Sequence, residues 1–517
     1  MDERNELPQL PKGWVWTTIE EILSALESGG RPKGGAKGIT RGVPSVGGEH
    51  LLYNGGFDFS QIRYVPEEYY EKMTRGRILA NDVLVVKDGA TTGKTSFVSE
   101  NFPFKKAAVN EHVFILRVFA EFTSSKYLFY WMQSPFGQRC VDDNFQGTAQ
   151  GGITSAFVRN STFPLAPLPE QCRIVAKIEE IFSDLDAGVA ALRKIQTQLK
   201  RYRQAVLKAA VEGKLTAEWR AANAGKIEPA SALLERIRAA RTETHGVGAH
   251  GRAPLRNTPM DAMESGALPE GWVYCLLADV AEVRLGRQRS PKRAIGPNMR
   301  RYLRAANVTW NGLALSDVKE MDFSPAEFEI YRLKRGDVLL SEASGSIGEV
   351  GKPAVWNEQI PNCCFQNTLI RVRSYAPLPT YLYVHFLFDA LAERFRKAAK
   401  GVGIHHLGAE NMSNWIISIP PLAEQQQIVA EVERRLSVAD EIEKTVDASL
   451  KQAERLRQSI LKRAFAGKLV PQDPSDEPAE RLLERIVRTR STNMITSPVR
   501  KHQKTHSRKQ VSHLRAT

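Results

Sequence analysis

Two acid-free segments rich in arginine and lysine carry the side chains best suited to bind phosphate. Residues 284–304 hold eight basic side chains, and residues 29–41 hold four among five glycines. Glycine lets a backbone approach a phosphate closely, and the planar guanidinium of arginine can neutralise phosphates or read guanine edges. The alternative is a solvated charged face. We predict nucleic-acid contacts for Arg31, Lys33, Lys37, Arg41, Arg287, Arg289, Lys292, Arg293, Arg300, Arg301 and Arg304.

Two later polar loops lie at matched places in the two halves of the chain, residues 146–152 and residues 400–406. Their side chains are either further DNA contacts or ordinary surface residues, and the sequence favours neither interpretation. The candidates are Gln146, Gln150, Lys400, His405 and His406.

Residues 88–95 resemble a nucleotide phosphate loop, but their two glycines enclose three residues where that motif needs four. The matched segment of the second half, residues 344–349, carries Glu349 in place of Lys94. The pattern therefore predicts a tight turn rather than a nucleotide-hydrolysing loop. Its polar residues stay candidate DNA contacts: Thr91, Thr92, Lys94, Ser344 and Ser346.

No catalytic motif accompanies these segments. The sequence lacks an Asn/Asp-Pro-Pro-aromatic motif for amino methylation and a paired-carboxylate nuclease pattern. His405-His406 and the five cysteines lack zinc-ligand spacing, so we predict no metal site and no catalytic residues. The few cysteines fit a reducing compartment, and the chain has neither a signal core nor a long apolar run. We therefore predict a cytoplasmic protein.

The chain repeats itself. Residues 170–216 and 424–470 share 18 identities in 47 positions at a constant offset of 254, where chance gives roughly 3. A Leu-Pro-x-Gly-Trp segment occurs at residues 10–14 and again at 268–272. A repeat of this length indicates a duplicated domain rather than a solenoid.

Apolar residues in both 47-residue segments recur at alternating steps of three and four, which predicts two long helices, residues 169–214 and 423–468. Such a stripe packs either on its own domain or, as we predict, on the other helix as a coiled coil. Because a duplicated chain closes most simply about a pseudo-two-fold axis, we expect the pair to be antiparallel. The predicted seam includes Ile178, Leu192, Leu199, Tyr202 and Val206 in the first helix and Val432, Ala439, Ile442, Val446, Leu456 and Ile460 in the second.

The segments before each helix, residues 10–165 (module 1) and residues 268–418 (module 2), are of mixed character. Short apolar runs at residues 83–86, 113–116, 338–340 and 368–370 predict strands. We therefore predict an α+β fold for each module. The net charge of +14 suggests a polyanionic partner, although six of these charges lie in the polar tail, residues 491–517.

Three repeated motifs resemble those of the type I restriction–modification specificity subunits. They are Pro-Leu-Pro-Glu-Gln at residues 167–171, Arg-Gln-Ala-Val-Leu at residues 203–207 and Gly-Lys-Leu-Thr at residues 213–216. The resemblance covers residues 10–490 and implies two target recognition domains with helical spacers. Its predicted parts are a first recognition domain (1–168), a first helical spacer region (169–241), a linker (242–267), a second recognition domain (268–421), a second helical spacer region (422–490) and a basic disordered tail (491–517).

The resemblance further implies a non-catalytic subunit that reads a bipartite, asymmetric DNA target. Its expected partners are double-stranded DNA, two modification subunits that methylate adenine with S-adenosylmethionine, and restriction subunits that use ATP and Mg²⁺. None of these cofactors is expected on this chain. Two alternatives stay open: a coiled-coil scaffold whose basic domains bind RNA or nucleic acid without sequence preference, and a nucleotide-dependent enzyme with a degenerate loop.

Overall fold

The computed structural model describes residues 9–35, 38–147, 151–245, 268–289, 294–344, 346–376, 379–401 and 405–496. The chain divides into two compact units. Unit 1 comprises residues 1–191 and 449–517, and unit 2 comprises residues 192–448. Each unit thus contains one module and a part of each long helix. The predicted tail beyond residue 496 and residues 246–267 of the predicted linker lie outside the described residues.

Module 1 begins the chain. Its strands are β1 (Val15–Thr18), β2 (Leu23–Ser28), β3 (Val43–Val46), β4 (Arg63–Val65), β5 (Val83–Val86), β6 (Thr95–Phe97), β7 (Ala108–Val109), β8 (Val113–Val118) and β9 (Thr162–Leu165). Its helices are α1 (Ile19–Ile22), α2 (Glu67–Lys72), α3 (Ser125–Gln133), α4 (Pro135–Asp143) and α5 (Phe157–Asn160). The long helix α6 (Leu168–Val211) follows, and after it come α7 (Ala217–Ala222) and α8 (Ala230–His245).

Module 2 follows the linker. Its strands are β10 (Val273–Leu276), β11 (Ala281–Leu285), β12 (Met299–Leu303), β13 (Val308–Thr309), β14 (Gly312–Leu313), β15 (Lys319–Asp322), β16 (Val338–Ser341), β17 (Ala343–Ser344), β18 (Pro353–Val355), β19 (Cys364–Phe365), β20 (Leu369–Ser374), β21 (His405–His406) and β22 (Ile416–Ile419). Its helices are α9 (Leu277–Val280), α10 (Pro325–Tyr331), α11 (Pro379–Leu391), α12 (Arg394–Ala398) and α13 (Ala409–Ser413). The second long helix is α14 (Leu422–Phe465), and α15 (Ala479–Thr496) follows it.

The two modules share one topology. An antiparallel sheet has the strand order β2-β8-β5-β6 in module 1 and β11-β20-β16-β18 in module 2. A three-stranded sheet has the order β4-β3-β7 or β15-β12-β19, and the first strand of each module pairs with the last. Module 2 adds the pairs β13-β14 and β17-β21. The predicted duplication of one α+β domain is confirmed.

The four-stranded sheet is covered on both faces, which explains its unbroken apolar strands. In β5, Val83 and Val85 pack with helices α1 and α3, whereas Leu84 and Val86 pack with the three-stranded sheet. Side chains alternate between the faces of a strand, so a strand buried on both sides must be apolar throughout. The strands predicted at residues 83–86 and 338–340 are confirmed.

Helices α6 and α14 run antiparallel, as predicted. In unit 2, Arg203 donates a hydrogen bond to Asp440 at 2.6 Å, and Gln196 donates to Asp447 at 2.8 Å. In unit 1, Arg457 pairs with Asp186. Residue numbers thus rise along one helix as they fall along the other. At an offset of 254, the Arg203–Asp440 pair and the Arg457–Asp186 pair are the same pair of repeat positions.

The seam between the helices is narrower than predicted. The residues of α14 that it buries recur at multiples of seven, Val432, Ala439, Val446 and Ile460. Ile442, Leu456 and Tyr202 are 42%, 47% and 41% exposed, so their predicted seam positions are wrong. In a pair of helices, each helix covers only one narrow face of the other. Burial of the adjacent row of apolar residues would need contact with a further helix or domain.

The repeated tryptophan and glutamate form the joint between each module and a long helix. Trp14 Nε1 donates to Glu170 Oε2 at 2.9 Å, and Trp272 Nε1 donates to Glu424 Oε2 at 2.9 Å. Both glutamates are buried in the first turn of α6 or α14, where the positive end of the helix dipole favours a carboxylate. This contact explains why both motifs are repeated together.

The short helices complete the two joints. In unit 2, the Ala230 amide at the start of α8 donates to the carbonyl of Gly271 at 2.9 Å. In unit 1, the Ala479 amide at the start of α15 donates to the carbonyl of Gly13 at the same distance. Each short helix therefore closes on the Leu-Pro-x-Gly-Trp start of the module in its own unit. No described helix is long and apolar enough to cross a membrane.

Candidate nucleic-acid interface

Each basic loop is anchored at a glycine that touches backbone. A side chain on Gly29 would collide with the carbonyl of Val109, and one on Gly286 would collide with the carbonyl of Gln366. The two contacts occupy equivalent positions: each glycine follows β2 or β11, and its carbonyl partner lies at the end of β7 or directly after β19. Only glycine permits this approach, so the glycines at the start of both loops fix where the loops leave the sheet.

A groove lies beside each basic loop, at the same place in both modules. In module 1 it has a volume of about 150 Å³, and in module 2 about 490 Å³. The residues that line the first include Arg31, Pro32, Ser45, Glu49, Arg63 and Asn110. Those that line the second include Arg289, Tyr302, Arg304, Ala306, Lys319 and Gln366.

The strand pairing makes the grooves equivalent. Ser45 opposes Arg63 across β3 and β4, and Tyr302 opposes Lys319 across β12 and β15. Arg63 and Lys319 therefore occupy the same position in the two grooves. The residue paired with each cation across the strands changes from serine to tyrosine. An amide side chain recurs as well. Asn110 lies shortly before β8, and Gln366 lies shortly before the equivalent strand β20. The grooves share a frame and differ in their lining.

In module 1, hydrogen bonds connect the basic loop to the two other predicted contact segments. An Arg31 Nη2–H donates to His112 Nε2 at 2.7 Å, and His112 Nδ1 lies 2.5 Å from a carboxylate oxygen of Asp88. Nε2 is the acceptor in this arrangement, so Nδ1 carries the proton that Asp88 accepts. Asp88 in turn forms a β-bridge to Gly152, which pairs with Gln146. The fold thus brings Arg31, the turn after β5 and the Gln146 loop together.

The turn after β5 also meets the hairpin between β3 and β4. A Cβ on Gly48 would lie 3.6 Å from Thr91 Oγ1. The Lys94 ammonium lies 4.7 Å from the centre of the Tyr53 ring, and that ring is exposed to solvent. The neighbouring Thr92 Oγ1 donates to the carbonyl of Gly89 at 2.7 Å, which closes the predicted tight turn. All these segments belong to one continuous surface of module 1.

Module 2 connects its segments differently. Ser344 pairs with His405 in the β17-β21 ladder, and Lys400 forms a bridge to His406. His406 Nδ1 lies 3.1 Å from a carboxylate oxygen of the nearly buried Glu342. The Glu342 amide donates to the carbonyl of Thr368, which lines the groove. The predicted loop contacts therefore reach the groove through Thr368, the residue before β20.

Acids from other parts of each module pair with several of the basic residues. The sequence segments are acid-free, yet Arg31 pairs with Glu111, Arg301 lies 3.5 Å from Glu320, and Arg304 lies 2.6 Å from Asp317. Asp317 also accepts a hydrogen bond from Lys319, and this contact together with Arg304 lowers the pKa of the aspartate. An acid-free run does not predict unpaired cations, because pairing is decided in three dimensions.

Two of the predicted contacts point inward. Arg287 is 5% exposed, lies 3.0 Å from Glu327 and stacks on Phe323 at 4.9 Å. Arg300 is half-buried, donates to the carbonyl of Met299 and lies over Phe328. These positions hold the loop against the three-stranded sheet. Both guanidinium groups make contacts within the module, while Arg287 Nη1 and Arg300 Nε are buried without a hydrogen-bond partner among the described residues.

The counterpart of Lys94 differs from the one that the sequence comparison predicts. The Lys94 carbonyl accepts a hydrogen bond from Val86 at the end of β5, and the Lys352 carbonyl accepts from Ser341 at the end of β16. Lys352, not Glu349, therefore occupies the equivalent position, and Glu349 pairs with it. The turn in module 2 is longer by three residues, which a gap-free comparison cannot detect.

The remaining predicted residues fall into two groups. Arg31, Lys33, Arg41, Gln146, Arg289, Arg301, Ser346, Lys400 and His406 are exposed, and Thr91, Thr92, Lys94, Arg304, Ser344 and His405 are partly exposed. Lys37, Gln150, Lys292 and Arg293 lie outside the described residues.

Sequence reasoning missed several residues of the interface. Arg63, Asn110, Lys319 and Gln366 line the grooves but lie outside the two basic runs. Comparison of the modules at an offset of about 256 pairs Arg63 with Lys319 and Asn110 with Gln366. That recurrence of side-chain type was the available signal. The described residues hold no cluster of three or more His, Cys, Asp or Glu side chains arranged for a metal ion.

The family model for the type I restriction modification DNA specificity domain matches this chain twice, at residues 11–201 and 269–452. The chain is 24% identical over 500 residues to the type I restriction enzyme EcoKI specificity subunit of Escherichia coli K12, covering 94% of this chain and 97% of that protein. It is 23% identical to the StySPI specificity subunit of Salmonella potsdam over the same shares of both chains.

A solved chain from a type I R-M system, described in a study of complex assembly and conformational transition, has the same fold. Its TM-score is 0.59 at 19% sequence identity, covering 89% of this chain and 99% of that one. The two-module architecture with its long helices therefore has an experimental counterpart.

Proposed function

Because this chain belongs to the family of type I restriction–modification DNA specificity subunits, we propose that each module reads one half of a bipartite, asymmetric DNA target. The groove and its basic loop form the contact surface of each module. Two modules of one topology suit two half-sites, and different linings suit two different base sequences.

The observation that carries the proposal is the pair of equivalent grooves. Each groove has a cation on the same wall, Arg63 or Lys319, where a phosphate or a guanine edge can be bound. Each also has an amide, Asn110 or Gln366, and amides pair with adenine through two hydrogen bonds. The residue paired with this cation across the strands changes from Ser45 to Tyr302, so the two grooves suit different base edges.

The proposed contacts are the exposed and partly exposed members of the predicted set, together with the groove residues. Arg287 and Arg300 act instead as positioning residues, because their guanidinium groups are held inside module 2. Acids such as Glu111 and Asp317 hold the cations until phosphates replace them. Lys37, Gln150, Lys292 and Arg293 stay in the proposal on their sequence alone.

We further propose that the exposed row of the helix pair binds partner subunits. Tyr202, Val438 and Ile442 in unit 2 are 41%, 53% and 42% exposed, and Leu456 in unit 1 is 47% exposed. Apolar side chains left beside a coiled-coil seam favour a further protein layer. Modification subunits carrying S-adenosylmethionine suit this surface. ATP and Mg²⁺ belong in turn to restriction subunits, and the assembly would act on DNA in the cytoplasm.

Selection from a library of random duplexes tests the proposal. The full chain, assembled with its modification subunits, is incubated with the library at about 0.15 M salt, because phosphate contacts make affinity salt-dependent. We expect a split motif with two different halves and an unread gap. A continuous or palindromic motif would contradict two-module reading. Equal competition by RNA would favour the scaffold alternative instead.

A further inference from the structure

Each module presents one exposed aromatic ring on a hairpin that follows the first strand of its small sheet. Tyr53 is 75% exposed and Trp310 is 39% exposed. Both residues are followed by asparagine and glycine, Asn54-Gly55 and Asn311-Gly312. Asn-Gly is a common tight-turn sequence, so both rings lie at the start of a turn.

Backbone contacts show that the two rings occupy the same position. A 3-10 helix precedes each hairpin, and a side chain three residues before the ring caps it. His50 accepts a hydrogen bond from the Gly47 amide at 2.9 Å, and Asn307 accepts from the Arg304 amide at 3.0 Å. The equivalence therefore rests on local geometry as well as on sequence.

Hydrogen bonds hold both hairpin tips in an ordered conformation. In module 1, the Gly55 amide donates to the carbonyl of Leu52 at 3.0 Å, and the Gly55 carbonyl accepts from Phe97 in β6 at 3.2 Å. In module 2, Thr309 Oγ1 donates to the carbonyl of Gly312 at 2.8 Å within the β13-β14 pair. An exposed ring on an ordered tip loses little conformational entropy when it binds a partner.

Both rings border the candidate interface. The Tyr53 ring lies 4.7 Å from the Lys94 ammonium. Lys94 belongs to the turn after β5, and Thr91 of the same turn lies close to Gly48. Trp310 follows the short helix whose residues Ala305 and Ala306 line the groove of module 2. The rings therefore belong to the surfaces that carry the cations and the amides.

We propose that Tyr53 and Trp310 pack their rings against DNA bases, one ring in each half-site. This inference rests on the proposed function. A protein partner would favour a patch of several apolar side chains, whereas each ring is followed by an exposed asparagine and the Tyr53 ring has a cation beside it. A lone ring beside a cation suits nucleic acid, because one partner then supplies both a base face and a phosphate. Aromatic or apolar wedges of this kind partly unstack a base step.

The test uses the full chain with its modification subunits and a duplex carrying the selected motif, with 2-aminopurine placed at successive positions. The fluorescence of 2-aminopurine rises when its base loses stacking. We expect a rise at one step in each half-site. Tyr53→Ala should abolish the rise in one half-site, and Trp310→Ala should abolish it in the other. Each change should weaken binding roughly 5- to 150-fold, the range for loss of one aromatic–base contact.

Matched variants separate stacking from general damage. Tyr53→Phe and Trp310→Phe keep a ring and should keep most of the affinity and the fluorescence rise. Tyr375→Ala removes another partly exposed ring, at the far end of β20 from the groove, and should leave DNA binding unchanged. Thermal unfolding of every variant shows whether it is folded.

Three results would overturn the inference. If both alanine variants bind the motif like the parent, the rings do not contact DNA, while the proposed function stands. If they lose the modification subunits but keep DNA affinity, the rings are protein contacts. If the parent itself selects no split motif, the proposed function fails first, and the inference fails with it.

Discussion

Units 1 and 2 bury the same glutamate against the same tryptophan, yet only one of the two carboxylates is fully hydrogen-bonded. In unit 2, Glu424 Oε1 accepts from Thr216 at 2.7 Å and from Arg220 at 2.5 Å. In unit 1, Glu170 Oε1 is buried and accepts no hydrogen bond from the residues that the structure describes, and burial raises the pKa of Glu170. The repeat has kept the joint but not the residues that complete it.

The sequence explains this difference. At an offset of 254, Val470 stands where the first copy has Thr216, and Pro474 stands where it has Arg220. Neither side chain can donate a hydrogen bond. The grooves differ in the same way, since Tyr302 replaces Ser45 within one strand pairing. Duplication fixed the backbone frame, and each copy then diverged in the side chains that fill it.

The largest effect should be equal in the two units, because it tests the shared frame. Asp82 and Asp337 are buried, and each accepts two hydrogen bonds from an arginine, Arg117 or Arg373. Arg117→Met and Arg373→Met should each lower the free energy of unfolding by about 3–5 kcal/mol, since a buried carboxylate loses its partner. Chemical denaturation of the full chain measures this loss.

The control for these substitutions is Arg159→Met, which breaks an exposed pair with Glu20. Solvent screens an exposed pair and its side chains lose entropy when they pair, so little change in stability is expected. A large effect of Arg117→Met with almost none of Arg373→Met would show that the modules do not share a frame.

A smaller effect should separate the two joints. Glu424→Gln weakens the hydrogen bonds from Thr216 and Arg220 and should cost about 1–3 kcal/mol of unfolding free energy. Glu170→Gln removes a buried charge that has only one hydrogen-bond donor among the described residues, Trp14. The free energy of unfolding should therefore stay unchanged or rise. Thermal unfolding at neutral pH compares the variants, and equal destabilisation would contradict the distinction.

The pH dependence of unit 1 follows from the raised pKa of Glu170. The folded protein holds this proton more tightly than the unfolded chain does, so the stabilisation is complete below the unfolded pKa. It is lost as the pH rises through the higher folded pKa. Glu170→Gln should remove this loss and flatten the stability profile above about pH 4.5. An unchanged profile would exclude Glu170 as its source.

Neutralising an acid beside the module 2 groove should strengthen DNA binding. Asp317 lies 2.6 Å from Arg304 and 2.7 Å from Lys319. Asp317→Asn frees both cations for phosphate and should raise duplex affinity about fivefold, because the carboxylate no longer competes with phosphate for them. Glu111→Gln beside Arg31 is the matched change in module 1. Fluorescence anisotropy at several salt concentrations measures the gain, and weaker binding would argue against a phosphate role.

The smallest effect concerns the two repeat-related pairs of the coiled coil. Arg203→Ala breaks ion pairs with Asp440 and Glu443, and Arg457→Ala breaks one with Asp186. Because solvent reaches all three acids, each substitution should cost about 1 kcal/mol or less. Arg457 also stacks on Phe182 at 4.2 Å, so its substitution should cost slightly more. Thermal unfolding compares the two. A loss of several kcal/mol would show that the pairs do more than line the seam.

The periodic parts of the molecule could be predicted from the sequence. Heptad spacing predicted both long helices, and the repeat predicted their antiparallel pairing. The seam assignment was wrong for Tyr202, Ile442 and Leu456, because spacing does not reveal how many helices share a core. Contacts that depend on distant strands, such as Arg287 with Glu327 or Arg304 with Asp317, leave no local pattern. The groove residues Arg63 and Lys319 were missed for the same reason.

Genome-wide mapping of methylated adenines tests most directly whether each module reads its own half-site. Cells carrying the complex with Arg289→Ala and Lys319→Ala in module 2 are compared with cells carrying Arg63→Ala, which changes the equivalent wall of module 1. We expect each variant to relax one half of the methylated motif, a different half in each case, and to leave the other half intact. Each lost base contact should cost about 1–3 kcal/mol of discrimination. Equal loss of specificity in both halves, from either variant, would contradict modular reading.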